Sequence, residues 1–215
     1  MNIPSWNLYA PVAQEGLKYI GLGLGLWVLS LIFSDSWLLQ MGALGLTGCV
    51  IFFFRNPERL TPLDPEAIVS PADGTVMKVE KAPGQDQTHI AIFLSVMNVH
   101  INRSPIRGTV KKILYKPGQF NLAFKPKESE ENERNTVVIQ DEKLREVTVI
   151  QIAGFLARRI VCYLKEQDFV ASGARFGLIQ FGSRTDVIID SPVEVQVQVG
   201  DKVKGGQTVL ARFRN

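Results

Sequence analysis

Apolar residues follow two regimes along the chain. From Tyr19 to Phe54 the only charged side chain is Asp35, and Ser34-Asp35-Ser36 splits the run into Tyr19–Phe33 and Trp37–Phe54. Each half is apolar on every face, which predicts a tight helical hairpin rather than two amphipathic surface helices. A spanning helix takes about 20 apolar residues and tolerates about 17, so the second half is long enough to cross a bilayer and the first is marginal. Lys18 is the only positive charge ahead of the run and no small-residue cleavage site precedes the next polar segment, so a signal peptide is the poorer reading. Lys18, Arg55 and Arg59 flank the outer ends while Asp35 marks the turn, which by the positive-inside tendency puts both ends in the cytoplasm. The alternative is a buried helix pair in a soluble core.

After Phe54 the pattern changes. Arg55-Asn56-Pro57-Glu58-Arg59, then Pro62, Pro65 and Pro71, make a proline-punctuated stretch that cannot be one helix. This sets the expected organisation: a membrane-associated hairpin over 1–54, a linker over 55–66 and a β-rich domain over 67–215. Short β-branched runs separated by turn signals predict strands at Gly74–Val79, His89–Ser95, Gly108–Leu114, Asn135–Ile139, Val147–Phe155, Arg159–Leu164, Thr185–Ile189, Val193–Val197 and Thr208–Phe213. The fold class is therefore mainly β, an antiparallel sandwich or barrel behind an N-terminal helical hairpin. Lys125–Arg134, with Glu128, Glu130, Glu131 and Glu133, reads as a solvated loop within that domain.

Composition narrows the chemistry. Among 215 residues, Lys plus Arg is 24 and Asp plus Glu 21, a net charge of +3 that makes no case for nucleic acid. Cys49 and Cys162 form no CxxC or Cys/His spacing, so neither a disulfide scaffold nor a zinc site is expected, and a reducing compartment fits best. His89 and His100 are the only histidines, too few for a three-imidazole metal site.

Four segments carry candidate chemistry. Ser70-Pro71-Ala72-Asp73-Gly74 precedes a strand and by itself reads as an ordinary turn. In Leu94–Pro105 a strand gives way to a polar segment, and His100, among Asn98, Asn102 and Arg103, is better placed for function than mid-strand His89. In Arg175–Asp186, Gly182-Ser183 separates two strand-like runs. It is either a hairpin turn or a site where glycine exposes its carbonyl to the next residue's hydroxyl. The Gly-x-Ser-x-Gly elbow is missing. Gly200-Asp201-Lys202-Val203-Lys204-Gly205-Gly206 is a turn pattern of lipoyl, biotinyl and phosphotransferase-type modules and speaks for fold more than activity.

Taken in order, these segments together with Phe53–Arg59, Asn132–Asn135 and Gly154–Ile160 closely resemble the short form of the phosphatidylserine decarboxylase family, from about Phe53 to Ala211. The resemblance implies duplicated lipoyl- or phosphotransferase-like β modules. It also implies a proenzyme that cuts itself at Gly182-Ser183 and turns Ser183 into a covalent pyruvoyl cofactor. The products would be a large chain, 1–182, and a small chain, 183–215, that stay associated because strands on both sides of the cut belong to one sheet system. The pyruvoyl carbonyl would take the amino group of phosphatidylserine and act as electron sink for loss of CO2, giving phosphatidylethanolamine at the cytoplasmic face of the cell membrane. By the same resemblance His100 is the proton donor, and Asp73 orients or polarises the base for cleavage. The family's larger members carry a second histidine where this chain has Arg103. The cleavage base is therefore His100, or Asp73 acting through water, and Arg103 is assigned to substrate binding through its guanidinium.

Other classes predict different residues. A metallopeptidase needs a ligand cluster that two histidines with ten residues between them do not supply. A biotinyl or lipoyl carrier needs a Met-Lys-Met tip, which does not occur. A non-enzymatic membrane scaffold would remain one uncut chain.

Overall fold

A computed structural model describes residues 10–82, 84, 86–118, 131–154, 159–180 and 183–214. The chain forms two compact units, one ending at Glu58 and one beginning at Arg59. That division falls inside the segment expected to be a linker.

In the first unit, α1 spans Gln14–Phe33 and α2 spans Trp37–Phe53. The relative lengths reverse the expectation: α1 has 20 residues and is long and apolar enough to cross a membrane, whereas α2 has 17. The difference arises because Gln14–Lys18 extend the first apolar run toward the N-terminus as helix. Glu15 sits in the first turn, where the exposed amides favour negative charge. At the turn, the amide of Ser36 donates to Ser34 Oγ (3.2 Å) and Gln40 Nε2 to the Ser34 carbonyl (3.0 Å). The helices touch at a small residue: a Cβ on Gly23 would lie 2.4 Å from Thr47 Oγ1, so glycine is what permits the close approach. At the base the Ala13 amide donates to Phe54 O (2.8 Å) and the Asn56 amide to Pro11 O (2.7 Å), closing the hairpin. Leu22, Ile32, Phe33, Trp37 and Leu38 are each more than half exposed, an apolar surface without protein cover.

The second unit is all β among the described residues. Its strands are β1 (Ala67–Val69), β2 (Gly74–Lys81), β3 (Gln87–Leu94), β4 (Ile101–Arg103), β5 (Gly108–Lys116), β6 (Arg134–Gln140) and β7 (Glu146–Ile152). They continue with β8 (Arg159–Cys162), β9 (Phe169–Val170), β10 (Arg175–Gln180), β11 (Ser183–Asp190), β12 (Val193–Val195), β13 (Lys202–Val203) and β14 (Val209–Phe213). Eight of them form an antiparallel sheet in the order β13-β2-β3-β11-β7-β6-β5-β9, curled as a half-barrel, and β1-β14-β12 and β4-β10-β8 form two smaller sheets. The mainly β class and the apolar N-terminal hairpin agree with the sequence pattern.

Strand alternation sets the core. Val137 and Ile139 on β6, Val147 and Val149 on β7, Val187 and Ile189 on β11, and Ile90 and Ile92 on β3 point to one face and are fully buried. Two expectations change. β10 and β11 do not form a hairpin: β10 pairs with β4 and β8, whereas β11 pairs with β3 and β7, so the chain changes sheets between Gln180 and Ser183. The strands flanking Gly182-Ser183 thus lie in different sheets, not one. The C-terminal end of the expected solvated loop is also buried: Asn132 donates to Ala153 O (2.7 Å), and Glu133 accepts from the Tyr115 hydroxyl (3.0 Å). Polar side chains bury when partners are supplied, and here neighbouring strands supply them. Residues 125–130 of that segment lie outside the described residues.

Gly74 in the Asp73-Gly74 pair is required by crowding rather than by turn geometry. A Cβ there would come within 2.2 Å of Phe93 O on β3. Gly74→Ala is expected to pry β2 from β3 and cost about 1–3 kcal/mol, measured by urea unfolding of the purified protein.

Candidate functional site

The site begins where the interior of the large sheet turns from apolar to polar. Along β11 the core-facing positions run Ile189, Val187, Thr185, Ser183, and all four are fully buried. Adjacent strands make the same change in register. Val187 lies opposite Val149, which lies opposite Val137; one step on, Thr185 lies opposite Gln151 and Gln151 opposite Asn135. One step further, Ser183 pairs with Leu94 of β3. Ser183 is thus the first residue of a strand held on both sides. Its Oγ is buried and has no hydrogen-bond partner among the described residues. A buried hydroxyl without a partner forfeits its hydration, so a native site that keeps one calls for an explanation. Gly182, the other half of the expected cleavage site, lies outside the described residues.

His100 stands immediately before β4 and is buried. Its carbonyl accepts from the Ile179 amide (3.2 Å) on β10, the strand that leads into the Gly182-Ser183 junction. Its Nδ1 lies 2.9 Å from Asn98 O. A carbonyl only accepts, so Nδ1 carries a proton, and in the neutral form of the ring the lone pair is on Nε2. Asn98 is itself fixed, its Oδ1 accepting from the amide (2.9 Å) and hydroxyl (2.8 Å) of Ser95.

Asp73 is bound by an arginine and a backbone amide. Its Oδ2 takes Arg59 Nη2 at 2.8 Å and its Oδ1 takes the Gly205 amide at 2.8 Å, while Arg59 Nη1 reaches Gln207 Oε1 at 2.8 Å. Both carboxylate oxygens are engaged, neither by His100 nor by Ser183. The Gly200–Gly206 turn, which the sequence assigned to fold alone, therefore anchors the candidate aspartate. Arg103 is 7% exposed, with Nη1 donating to Gly173 O at 2.9 Å, and its amide donates to Pro71 O at 2.8 Å. The Ser70–Gly74 segment and the His100 strand are tied together by that backbone bond.

Several residues of the site were not singled out by the sequence. The sequence marks Arg59 as a flanking charge and as part of the Phe53–Arg59 motif, not as a partner of Asp73. Asn135, Gln151 and Thr185 interrupt core-facing rows of β-branched residues, and a polar residue at an inward position was the signal that would have found them.

The opposite face of β11 holds a charged cluster. Asp186 receives Arg184 through Nε (2.5 Å) and Nη2 (2.6 Å) and His89 through Nε2 (2.9 Å), with all of this nearly or partly buried. Mid-strand His89 is thereby accounted for as a partner of Asp186. Burial works against ionisation of Asp186, but the hydrogen bonds from His89 and Arg184 prevail and hold its carboxyl below the ordinary aspartate value. A lowered folded value means the ionised carboxylate stabilises the fold above the unfolded pKa of about 3.9 and that this contribution disappears as pH falls through the folded value. Asp186→Asn is expected to cost about 3–5 kcal/mol at neutral pH and to flatten the acid limb of the stability curve, read by denaturant melts between neutral and acid pH.

Comparison with known proteins bears on the family. Residues 46–211 match the family described as phosphatidylserine decarboxylase. The phosphatidylserine decarboxylase proenzyme of Desulfotalea psychrophila is 42% identical over 208 residues, covering 94% of this chain and 97% of that protein. The corresponding proenzyme of Syntrophus aciditrophicus is 43% identical over 209 residues, with the same coverage of 94% and 97%. On a match of this extent, spanning Asp73, His100 and Ser183, the chain belongs to the phosphatidylserine decarboxylase family.

Proposed function

We propose that this chain is the proenzyme of a pyruvoyl-dependent carboxy-lyase that converts phosphatidylserine to phosphatidylethanolamine and CO2 after cutting itself between Gly182 and Ser183. The observation that carries the reading is the Ser183 hydroxyl at the first position of β11, fully buried and without a hydrogen-bond partner among the described residues. A hydroxyl kept dry and uncommitted fits an intramolecular nucleophile better than a structural side chain.

In the first step Ser183 Oγ loses its proton to a base and bonds to the Gly182 carbonyl carbon. The C–N bond breaks, and the freed nitrogen takes a proton, leaving an ester. Removal of the Ser183 Cα proton then expels the Gly182 carboxylate from Cβ. The dehydroalanine left behind tautomerises and is hydrolysed by water with loss of ammonia. The fit of Ser183 to the resulting pyruvoyl rests on that uncommitted Oγ. Once formed, the group would supply a carbonyl for the substrate amine and a sink for the electron pair left on Cα when CO2 departs.

His100 is assigned the proton traffic. With Nδ1 held by Asn98 O, its Nε2 has the lone pair needed to accept the Ser183 proton and later to deliver one to the substrate Cα. Asp73, with both oxygens occupied by Arg59 and Gly205, is assigned to holding its segment in place and to shaping the field there, not to deprotonating serine directly. Arg103 is assigned to the anionic part of the substrate, since a guanidinium pairs with carboxylate or phosphate and is too weak an acid to serve as a base. After cleavage the small chain, 183–215, stays bound through β11 between β3 and β7, β13 on β2, and β14 on β1.

The hairpin suits a lipid substrate. Each buried methylene is worth about 0.8 kcal/mol, so a diacyl lipid stays in its bilayer and the enzyme must come to it. Helix α1 has the length and composition of a span. Lys18 and Arg55 at the open end, against Asp35 at the turn, argue for the cytoplasmic face.

Intact mass and a denaturing gel test the reading. Wild type is expected to yield two chains, the smaller lacking a free amino terminus, and Ser183→Ala one chain without decarboxylase activity. A Ser183→Ala protein that still released CO2 from phosphatidylserine would refute it. His100→Ala is expected to slow both processing and turnover by about 10²-fold or more. Arg103→Ala is expected to process while losing turnover on phosphatidylserine vesicles, and an uncut Arg103→Ala chain contradicts its assignment to substrate.

A further inference from the structure

One buried side chain joins the three segments that carry the proposed chemistry. Asn102, fully buried on β4, lies two residues after His100. Its Nδ2 donates to Thr185 Oγ1 at 3.2 Å, two residues after Ser183 on the same face of β11, and to Pro71 O at 3.4 Å, two residues before Asp73. Its Oδ1 accepts from Gln151 Nε2 at 2.8 Å, and Gln151 Oε1 accepts from Asn135 Nδ2 at 2.9 Å. Pro71 O and Val161 O, the latter 3.5 Å from Gln151 Nε2, can only accept, so the orientation of both amides is fixed. The chain of bonds runs one way, from Asn135 through Gln151 and Asn102 to Thr185 and the Ser70–Gly74 segment.

We propose that Asn102 is a positioning residue for self-cleavage, setting the His100 strand against the Ser183 strand; this rests on the function proposed above. Two features favour that role over plain satisfaction of buried polar groups. The row Asn135–Gln151–Thr185 sits where the next row is Val137–Val149–Val187, so the sheet accommodates apolar side chains at that depth and nothing in the packing demands amides. And Asn102 is the point where the row leaves its own sheet: β4 belongs to the small sheet with β10, while Thr185 belongs to the large one. The strands on either side, β10 ending at Gln180 and β11 beginning at Ser183, belong to those two different sheets, and the bond proposed to be cut is in the sequence between them. A side-chain bridge between those sheets restrains the angle between them and hence the approach of His100 to the junction.

The test is the rate of self-cleavage of freshly made full-length protein, followed by gel and intact mass across pH, with a thermal melt of each variant in the uncut Ser183→Ala background. Asn102→Ala and Asn102→Asp, the latter keeping shape and the acceptor for Gln151 but losing the donor, are expected to cut about 10²-fold more slowly. The midpoint of the pH profile is expected to stay in place, because the base is displaced rather than changed. Thr185→Val is expected to slow cleavage, and Thr185→Ser, which restores the hydroxyl, to recover most of the rate. Asn102 and Thr185 variants that melt at lower temperature yet cut at the wild-type rate would overturn the proposal and leave the network purely structural. Should the Asn102 variants fail to fold, the Thr185 pair decides: equal rates for valine and serine overturn it, rescue by serine alone supports it. If wild type itself never cuts, the self-cleavage reading fails instead, a different result from wild type and variants cutting alike.

Discussion

The pairing of β11 on both edges is the constraint from which the rest of the site follows. All eight of its residues are in register with β3, and Arg184 through Ile189 are also in register with β7. A central strand with apolar side chains packed on one face and an Arg–Asp–His cluster fixed on the other has little freedom to slide, since a one-residue slip would put Val187 and Ile189 outside and Asp186 in the core. Ser183 inherits that rigidity as the first residue of the strand. On the proposed reading, a nucleophile at the end of a clamped strand needs no loop to hold it, and a break just ahead of it leaves every pairing of the strand intact.

Rigidity alone does not make a site; the polar rows beside Ser183 do. Within about 7 Å along the strand direction, a two-residue step, side chains change from Val187 to Thr185 and from Val149 to Gln151 while burial stays complete. Burying amides costs free energy unless every donor and acceptor is met, and apolar residues of similar volume would pack there without that demand. The bonds from Asn135 to Thr185 meet the demand in one direction. Stability conceded at a buried polar network is a common feature of functional sites, and here the concession is confined to the end of the sheet interior where Ser183 lies.

Much of this was legible in the residues. Period-two alternation located most long strands to within two or three positions, because a half-buried sheet needs that alternation to keep one face dry. A strand that escaped is β4, Ile101-Asn102-Arg103, short, fully buried and mostly polar; β10 is legible only as a strand-like run without bounds, since it is buried at every position and shows no alternation. Of the two readings at Gly182-Ser183, the hairpin turn fails: adjacency in sequence favours pairing, and only register with β3, β4, β7 and β8 reveals that β10 and β11 belong to different sheets. Gly200–Gly206 was recognisable as a turn, yet its grip on Asp73 through the Gly205 amide could not be read, since a backbone donor leaves no mark in the side-chain pattern. The same blindness hid Asn98, which fixes the His100 ring through its carbonyl.

Placing Asp73 in an ion pair with Arg59 changes how its role is argued. Both oxygens of this aspartate already accept, one from a guanidinium and one from a backbone amide, and neither bond reaches Ser183 or His100. An imidazole whose Nδ1 donates to a carbonyl is oriented by that bond and, when neutral, has its basic nitrogen at Nε2. At the position where the resemblance implies a second histidine in larger members, this chain has Arg103, whose side chain donates to Gly173 O. One histidine must then carry both the cleavage and the later proton delivery on the proposed reading. Such economy is feasible only if the imidazole returns to the same position for each step. That requirement falls on the groups fixing its strand: Asn98 through the ring, Ile179 through the backbone, and Asn102 through the bridge to β11.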